Sequence, residues 1–179
     1  MNASDKSILV TDIPGYTPHI SRLICMMNYA RYITLNLVKD LTTKELDHLI
    51  DKESNSIGAL LMHLAAVEYF YQVASFEERE PTKAELSQWR AGLDLGEAGR
   101  IEIKGNDLEY YIGKMNALRK RTLELFKERD DKWLQDEFPF WENKPSNNYF
   151  LWFHVFEDEI NHRGQISWIK KRLRKSIVA

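Results

Sequence analysis

The sequence predicts an all-α fold: a four-helix bundle with one long connection between its second and third helices. Three observations lead there. Four segments repeat apolar residues at the helical period. No segment sustains strand-like alternation or carries an Asn-Gly hairpin signal. One long irregular stretch, residues 79–105, separates the second helix from the third, and such a crossing suits two helices that run parallel. With 179 residues, 44% of them hydrophobic, the chain can bury one core, and a single domain over residues 1–179 is expected.

The first helix is expected from about His19 to Leu41, with Ile20, Ile24, Met27, Ala30, Thr34, Leu37 and Leu41 on one face. Pro18, just before it, suits a first helical turn. The second begins after "KESNS" and contains "IGALLMHLAAVEYFYQVASF", with Asn55 or Ser56 as its N-cap. In the connection, Pro81 and Thr82 can open a short helix through Trp89, after which Gly92, Gly96, Gly99 and Gly105 are expected to break regular structure. The third helix follows "KGND" and covers "LEYYIGKMNALRKRTLELFKER", where Leu108, Tyr111, Met115, Leu118, Thr122 and Leu125 recur in steps of three and four. The fourth is entered after "NKPSNN", with Pro145, Ser146 or Asn147 near its start.

Charge excludes some functions. Lys and Arg total 25 against 27 Asp and Glu, a net charge of −2, whereas a nucleic-acid groove wants a clear basic excess. The basic run "KKRLRK" (Lys170 to Lys175) reads as a solvated helix end, where cations complement the macrodipole. The lone Cys25 cannot form an internal disulfide and sits among apolar residues, which fits a structural thiol in a reducing compartment. No basic n-region with an apolar run follows the first Met, and no apolar stretch approaches the ~20 residues of a membrane span. No membrane association and a cytoplasmic location are expected.

The fourth helix contains the informative anomaly. In "FHVFEDEINHRGQISWIKKRL", Leu151, Val155, Ile166 and Ile169 define an apolar face about 60° wide, yet Asp158 and His162 lie on that same side. A carboxylate and an imidazole facing a core are costly unless paired. Four residues apart, they rise one turn, about 6 Å, and can converge on one ion. His63, among Leu60, Val67, Phe70 and Ala74 on the second helix, is the candidate third ligand. Two histidines and a carboxylate form a facial set that leaves positions open. The plainer reading is a hydrogen-bonded Asp158–His162 pair, with His63 bonded to a backbone carbonyl. His154 is too far along the axis to share an ion with His162. It can pair with Asp158 or stand near the site, facing substrate. Glu157 and Glu159 point about 100° to either side of Asp158 and are expected to be solvated or paired with Arg163. His19 and His48 are expected in surface or capping roles.

These residues resemble the DinB/YfiT-like proteins. The likeness rests on "NSIGALLMHLAAVEYFYQ" (Asn55 to Gln72) and "WFHVFEDEINHRGQISWIKKRL" (Trp152 to Leu173), above all on "HRGQI" (His162 to Ile166), with weaker similarity over most of the chain, including "MMNYAR". The resemblance implies an up-down-down-up bundle holding one divalent metal on His63, Asp158 and His162, with Zn or Ni favoured and Fe or Mn open. Many members have H-x-x-x-H on the fourth helix, and the related mycothiol-dependent maleylpyruvate isomerases carry a glutamate at the first of those positions. Asp158 places a shorter carboxylate there.

The resemblance further implies a metal-dependent enzyme: a thiol-dependent S-transferase, or a related small-molecule transferase or hydrolase, activating a low-molecular-weight thiol such as bacillithiol or mycothiol. In such an enzyme His154 would move protons or contact the thiol, and Gln165 would orient a ligand. Phe140, Trp141, Tyr149 and Trp152 would line an acceptor pocket unless they are core. The alternative is a non-catalytic, metal-binding stress-response module acting as a homodimer. Its closed coordination sphere would be completed by Glu159 or a residue of the 79–105 connection. Gly164 and the glycine-rich connection leave room for close helix approach or lid motion, which one sequence does not decide.

Overall fold

Pro18 opens the first helix, α1 (Pro18–Val38), as its sequence context predicts. Its N-terminus is capped from far away: Asp131 Oδ1 accepts from the backbone N–H of His19 at 3.0 Å and from the Thr17 hydroxyl. A computed structural model describes residues 8–178, with side chains described through Leu173. The segment "MNASDKS" and the side chains of Arg174 and Lys175 in the basic run lie outside the described residues.

A single-turn helix not foreseen in the sequence, α2 (Thr43–Leu46), follows α1 and is closed by a capping box between Thr42 and Glu45. Helix α3 (Ile57–Phe76) starts at Ser56, whose hydroxyl accepts from Ala59 N–H at 3.1 Å. Against the expectation that no apolar stretch nears the length of a membrane span, it alone among the described helices is long and apolar enough to cross one, but 72% of its apolar window is buried inside the bundle. The connection after it holds the short helix expected from Thr82, but helix continues past Trp89 instead of giving way to irregular chain. Thr82 and Glu85 form a second capping box that starts α4 (Lys83–Asp94), and α5 (Gly96–Glu102) follows at once. Three of the four glycines thus lie within helices. Gly92 is in α4 because the helix lies close against α3: a Cβ there would stand 3.1 Å from Met62 Cγ and 3.2 Å from Ala66 Cβ. Asp107 caps α6 (Leu108–Phe126).

Between α6 and the last helix lies a second departure from expectation. After a 3-10 turn (Trp133–Gln135), β1 (Glu137–Phe140) pairs antiparallel with β2 (Lys144–Asn147). The reversal places Glu142 and Asn143 at φ 56° and 62°, a left-handed turn made without glycine. Pro145 and Ser146 are therefore strand residues. Helix α7 (Asn148–Val178) begins where Asn147 Oδ1 accepts from Phe150 N–H at 2.9 Å.

Contacts give the helix directions. Gly58 meets Tyr111, Glu68 meets Arg119 and Gln72 meets Thr122, so α3 and α6 run parallel. His19 meets Tyr149, Arg31 meets Glu159 and Leu37 meets Lys170, so α1 and α7 run parallel. Ser75 meets Trp152 while His63 meets His162, so α3 and α7 are antiparallel. The order is up-down-down-up.

Apolar burial falls into two clusters. One holds Leu41, Leu46, Ile57, Leu60, Leu61, Met115, Ile166 and Ile169. The other holds Ile20, Leu23, Ile24, Met27, Phe76, Phe126, Leu134, Leu151 and Trp152. Between them, all four long helices contribute buried polar residues: Arg31 and Thr34 from α1, Glu68 and Gln72 from α3, Arg119 and Thr122 from α6, and Asp158 and Glu159 from α7. The candidate site is built at this polar layer.

Candidate metal centre

Helices α3 and α7 bring His63, Asp158 and His162 together. One ligand atom from each lies within 4.8 Å of the others. Asp158 stands between the imidazoles, with His63 Nε2 at 3.3 Å from Oδ2 and His162 Nε2 at 3.3 Å from Oδ1. The two rings meet edge to face, 4.6 Å between centroids. Side-chain exposures of 13%, 11% and 12% make the site shielded yet reachable. Burial pushes the Asp158 carboxyl up, but His162 and His63 outweigh it and hold it well below the usual carboxylate range.

The orientation of His63 is decisive. Its Nδ1 lies 2.8 Å from the Gly92 carbonyl oxygen of α4. A carbonyl only accepts, so Nδ1 carries the hydrogen and donates it. In the neutral ring, Nε2 then turns a lone pair toward Asp158 Oδ2, another acceptor. That oxygen is buried and lacks a hydrogen-bond partner, as does His162 Nδ1. Two facing lone pairs call for a cation between them, a proton or a metal ion. The carbonyl–histidine pairing is also the arrangement that orients metal-ligating imidazoles. The residues present therefore fit a divalent metal. Among the described residues, the group of histidines and carboxylates ends at these three.

Other expectations fare differently. Glu159 is neither solvated nor paired with Arg163. It is 1% exposed and receives Arg31 Nε at 3.1 and 3.2 Å, because α7 is covered by α1 on that side. Its carboxylate is thus committed to Arg31 and not to the three candidate ligands, and the fourth-ligand role fails for it. The 79–105 connection contributes Gly92 O, which holds the far nitrogen of His63. Glu157 instead receives His154 Nδ1 at 3.0 Å, so His154 does not pair with Asp158. Arg163 reaches the Ala30 carbonyl. Gly164 has open space where a Cβ would stand, so no close approach requires it.

The His63 stripe is only partly apolar cover: His63, Val67, Phe70 and Ala74 are half-buried, while the opposite side of α3 is sealed. The aromatic set divides: Trp152 is core, bonded through Nε1 to Ser75 Oγ at 3.1 Å, and Tyr149 faces the exposed His19. Phe140 and Trp141 do line a surface pocket beside the hairpin. Gln165 lines a separate pocket with Asn55 and Trp168. Cys25 is half-buried and faces the Thr11 carbonyl.

Two features escaped the sequence reading. Glu68, fully buried, accepts from Arg119 Nε and Thr122 Oγ1 at 2.8 Å and from Arg31 Nη2 at 3.1 Å. Burial alone would raise its pKa, but Arg119 and Arg31 outweigh that and hold it low. The only sequence signal was a glutamate inside the apolar run "HLAAVEYF". Tyr71, 3% exposed, packs on His154 at 5.8 Å. Burial, then Asp158 and Glu157, push its phenol up, keeping it protonated.

A family model described as mycothiol-S-transferase matches residues 22–175. The chain belongs to this family. The mycothiol-S-transferases are a DinB-like family, in agreement with the motifs around His63 and His162, and they point to S-transfer with a thiol substrate such as mycothiol. No curated protein matches the chain.

Proposed function

We propose that this member of the mycothiol-S-transferase family is an enzyme that transfers a low-molecular-weight thiol to an electrophilic small molecule, using a divalent metal held by His63, Asp158 and His162. The observation that carries the reading is the lone-pair confrontation between His63 Nε2 and Asp158 Oδ2, with His63 locked in its tautomer by Gly92. When bound at an open site, such an ion lowers the pKa of a coordinated thiol and yields a thiolate near neutral pH. Zn and Ni suit the donor set best, with Fe and Mn also compatible.

The surrounding residues have assigned parts in this proposal. His154 Nδ1–H donates to Glu157, which leaves Nε2 as a base able to accept the thiol proton. Tyr71, protonated and buried beside His154, donates a hydrogen bond to charge developing on the acceptor or its leaving group. The half-buried apolar stripe of α3 guides the acceptor and limits water.

Two measurements test this. Protein purified without a metal-binding tag should carry near one equivalent of metal by mass spectrometry, lost in His63→Ala, Asp158→Ala and His162→Ala. His154→Ala should keep its metal while transfer of mycothiol to a halogenated aromatic slows by about 10²-fold. No metal after incubation with Zn, Ni and Mn would overturn the reading.

A further inference from the structure

A groove of about 470 Å³ lies between the C-terminal half of α3 and strand β1, apart from the three candidate ligands. Its apolar walls are Phe70, Ala74, Phe138, Pro139 and Phe140. Its rim is acidic: Glu78, Glu80, Asp136 and Glu137 line it, against a single cation, Arg79. That guanidinium is already engaged, 2.8 Å from Glu85 and 2.6 Å from Glu77. The rim therefore presents uncompensated negative charge to whatever enters.

A second, independent feature points the same way. Asn148, 5% exposed, also lines the groove. Its Nδ2 donates to the Trp133 carbonyl at 3.0 Å, which fixes the carboxamide so that Oδ1 is the free end. Oδ1 has no hydrogen-bond partner. A buried acceptor left open in this way costs stability unless a donor reaches it. An apolar body fits the walls, and a charged N–H donor answers both the carboxamide oxygen and the carboxylate rim.

We propose that this groove binds an amine-bearing apolar small molecule, its ammonium group set between Asn148 Oδ1 and the acidic rim and its aromatic or aliphatic body against Phe70 and Phe138. Phe70 and Ala74 continue the stripe that starts at His63, and Phe70 lies seven residues further on, about 10 Å along the α3 axis. Tyr71 touches both Phe140 of the groove and His154. A molecule held by its amine would thus extend its other end toward the three candidate ligands. Use of the groove as the acceptor subsite rests on the transferase reading; the binding itself does not.

The test is a chemical-shift titration of the full chain with three probes of one shape: 2-phenylethylamine, 2-phenylethanol and phenylacetate. The amine should bind about tenfold more tightly than the alcohol, as one added charge-assisted contact provides, and phenylacetate should not bind. Shifts should centre on Ala74 and Phe138. The double variant D136N/E137Q should reduce the amine to the level of the alcohol. A74W, which fills the groove without altering charge, should abolish binding of both while the circular dichroism of the bundle is kept. Asp158→Ala should bind the amine as the parent does, which separates this proposal from the metal reading. Equal affinity for amine and alcohol, shifts centred elsewhere, or undiminished binding in A74W would overturn it.

Discussion

Two polar clusters sit in the layer between the apolar cores, on adjacent positions of the same helices, and they are finished to different degrees. In the first, Glu68 and Glu159 are covered by Arg31 and Arg119, and each oxygen of Glu68 accepts hydrogen bonds. Arg31 turns its third nitrogen, Nη1, to the Met115 carbonyl, and Arg119 Nη1 is the one guanidinium nitrogen there without a partner. In the second, His63 and His162 flank Asp158, and a carboxylate oxygen and a ring nitrogen are left open. The first cluster answers its own charges from four helices. The second takes its three side chains from two helices, with one carbonyl from α4, and stops short. Buried polar groups are normally satisfied, so the difference teaches where the molecule waits for something from outside.

The largest way to break this comparison is to unbalance the closed cluster. Glu68→Gln leaves two buried guanidinium groups to share one carboxylate, that of Glu159, and should cost about 3–5 kcal/mol in urea unfolding. A loss below about 1 kcal/mol would mean that the network is not what joins the four helices. Acid sharpens the point. The carboxyl of Glu68 is held below its ordinary value of 4.5 in the folded state, so the unfolded chain binds the proton first as pH falls. Its contribution is complete above that value and is lost as pH drops through the lower folded value. The parent should therefore lose stability steeply below about pH 4.5, and Glu68→Gln should show a shallower slope.

The open cluster should behave in the opposite sense. Asp158→Ala removes a charge whose partners are incomplete, and without metal it should cost under about 2 kcal/mol. The parent, given Zn or Ni at a thousandfold excess over its dissociation constant, should gain about 4 kcal/mol. The Asp158→Ala variant should gain none. Equal stabilisation of both by metal would place the ion elsewhere.

Legibility in the sequence follows the same division. The four long helices and most of their starts were readable because apolar period and capping residues are local: Pro18, Ser56, Asp107 and Asn147 stand where the helices begin. His63, Asp158 and His162 were readable because polar residues broke an apolar face. Glu159 was not, although it is more buried than Asp158. Its burial is caused by α1 and α6, and its partner Arg31 is 128 residues away. No local pattern records that. The hairpin was missed because Glu142 and Asn143, not Asn-Gly, make its left-handed turn. In the connection the start of α4 at Thr82 was readable, but its last turn and all of α5 were missed because glycine reads as a breaker until α3 is seen lying against Gly92.

Gly92 also supplies the finest test of the contrast, since it joins backbone packing to the open cluster. Its missing side chain lets α4 lie close to Met62 and Ala66, and its carbonyl receives His63 Nδ1–H. In Gly92→Ala the new Cβ would meet Met62 O as well as the side chains, at 3.2 Å. That backbone atom cannot swing aside, so α4 must move outward by a few tenths of an ångström and draw the carbonyl from the imidazole. Overpacking should cost about 1–3 kcal/mol. Metal affinity should fall about 10–100-fold, the usual effect of losing an outer hydrogen bond to a ligand histidine, as read by competition with a chromophoric chelator. The closed cluster has no contact with Gly92, so the acid slope due to Glu68 should be unchanged in this variant. Weakened metal binding with that slope intact would show that the two clusters, though neighbours on α3 and α7, are held by separate parts of the bundle. Unaltered affinity would mean that His63 keeps its orientation without the carbonyl, and the tautomer argument for a cation at Asp158 would lose its support.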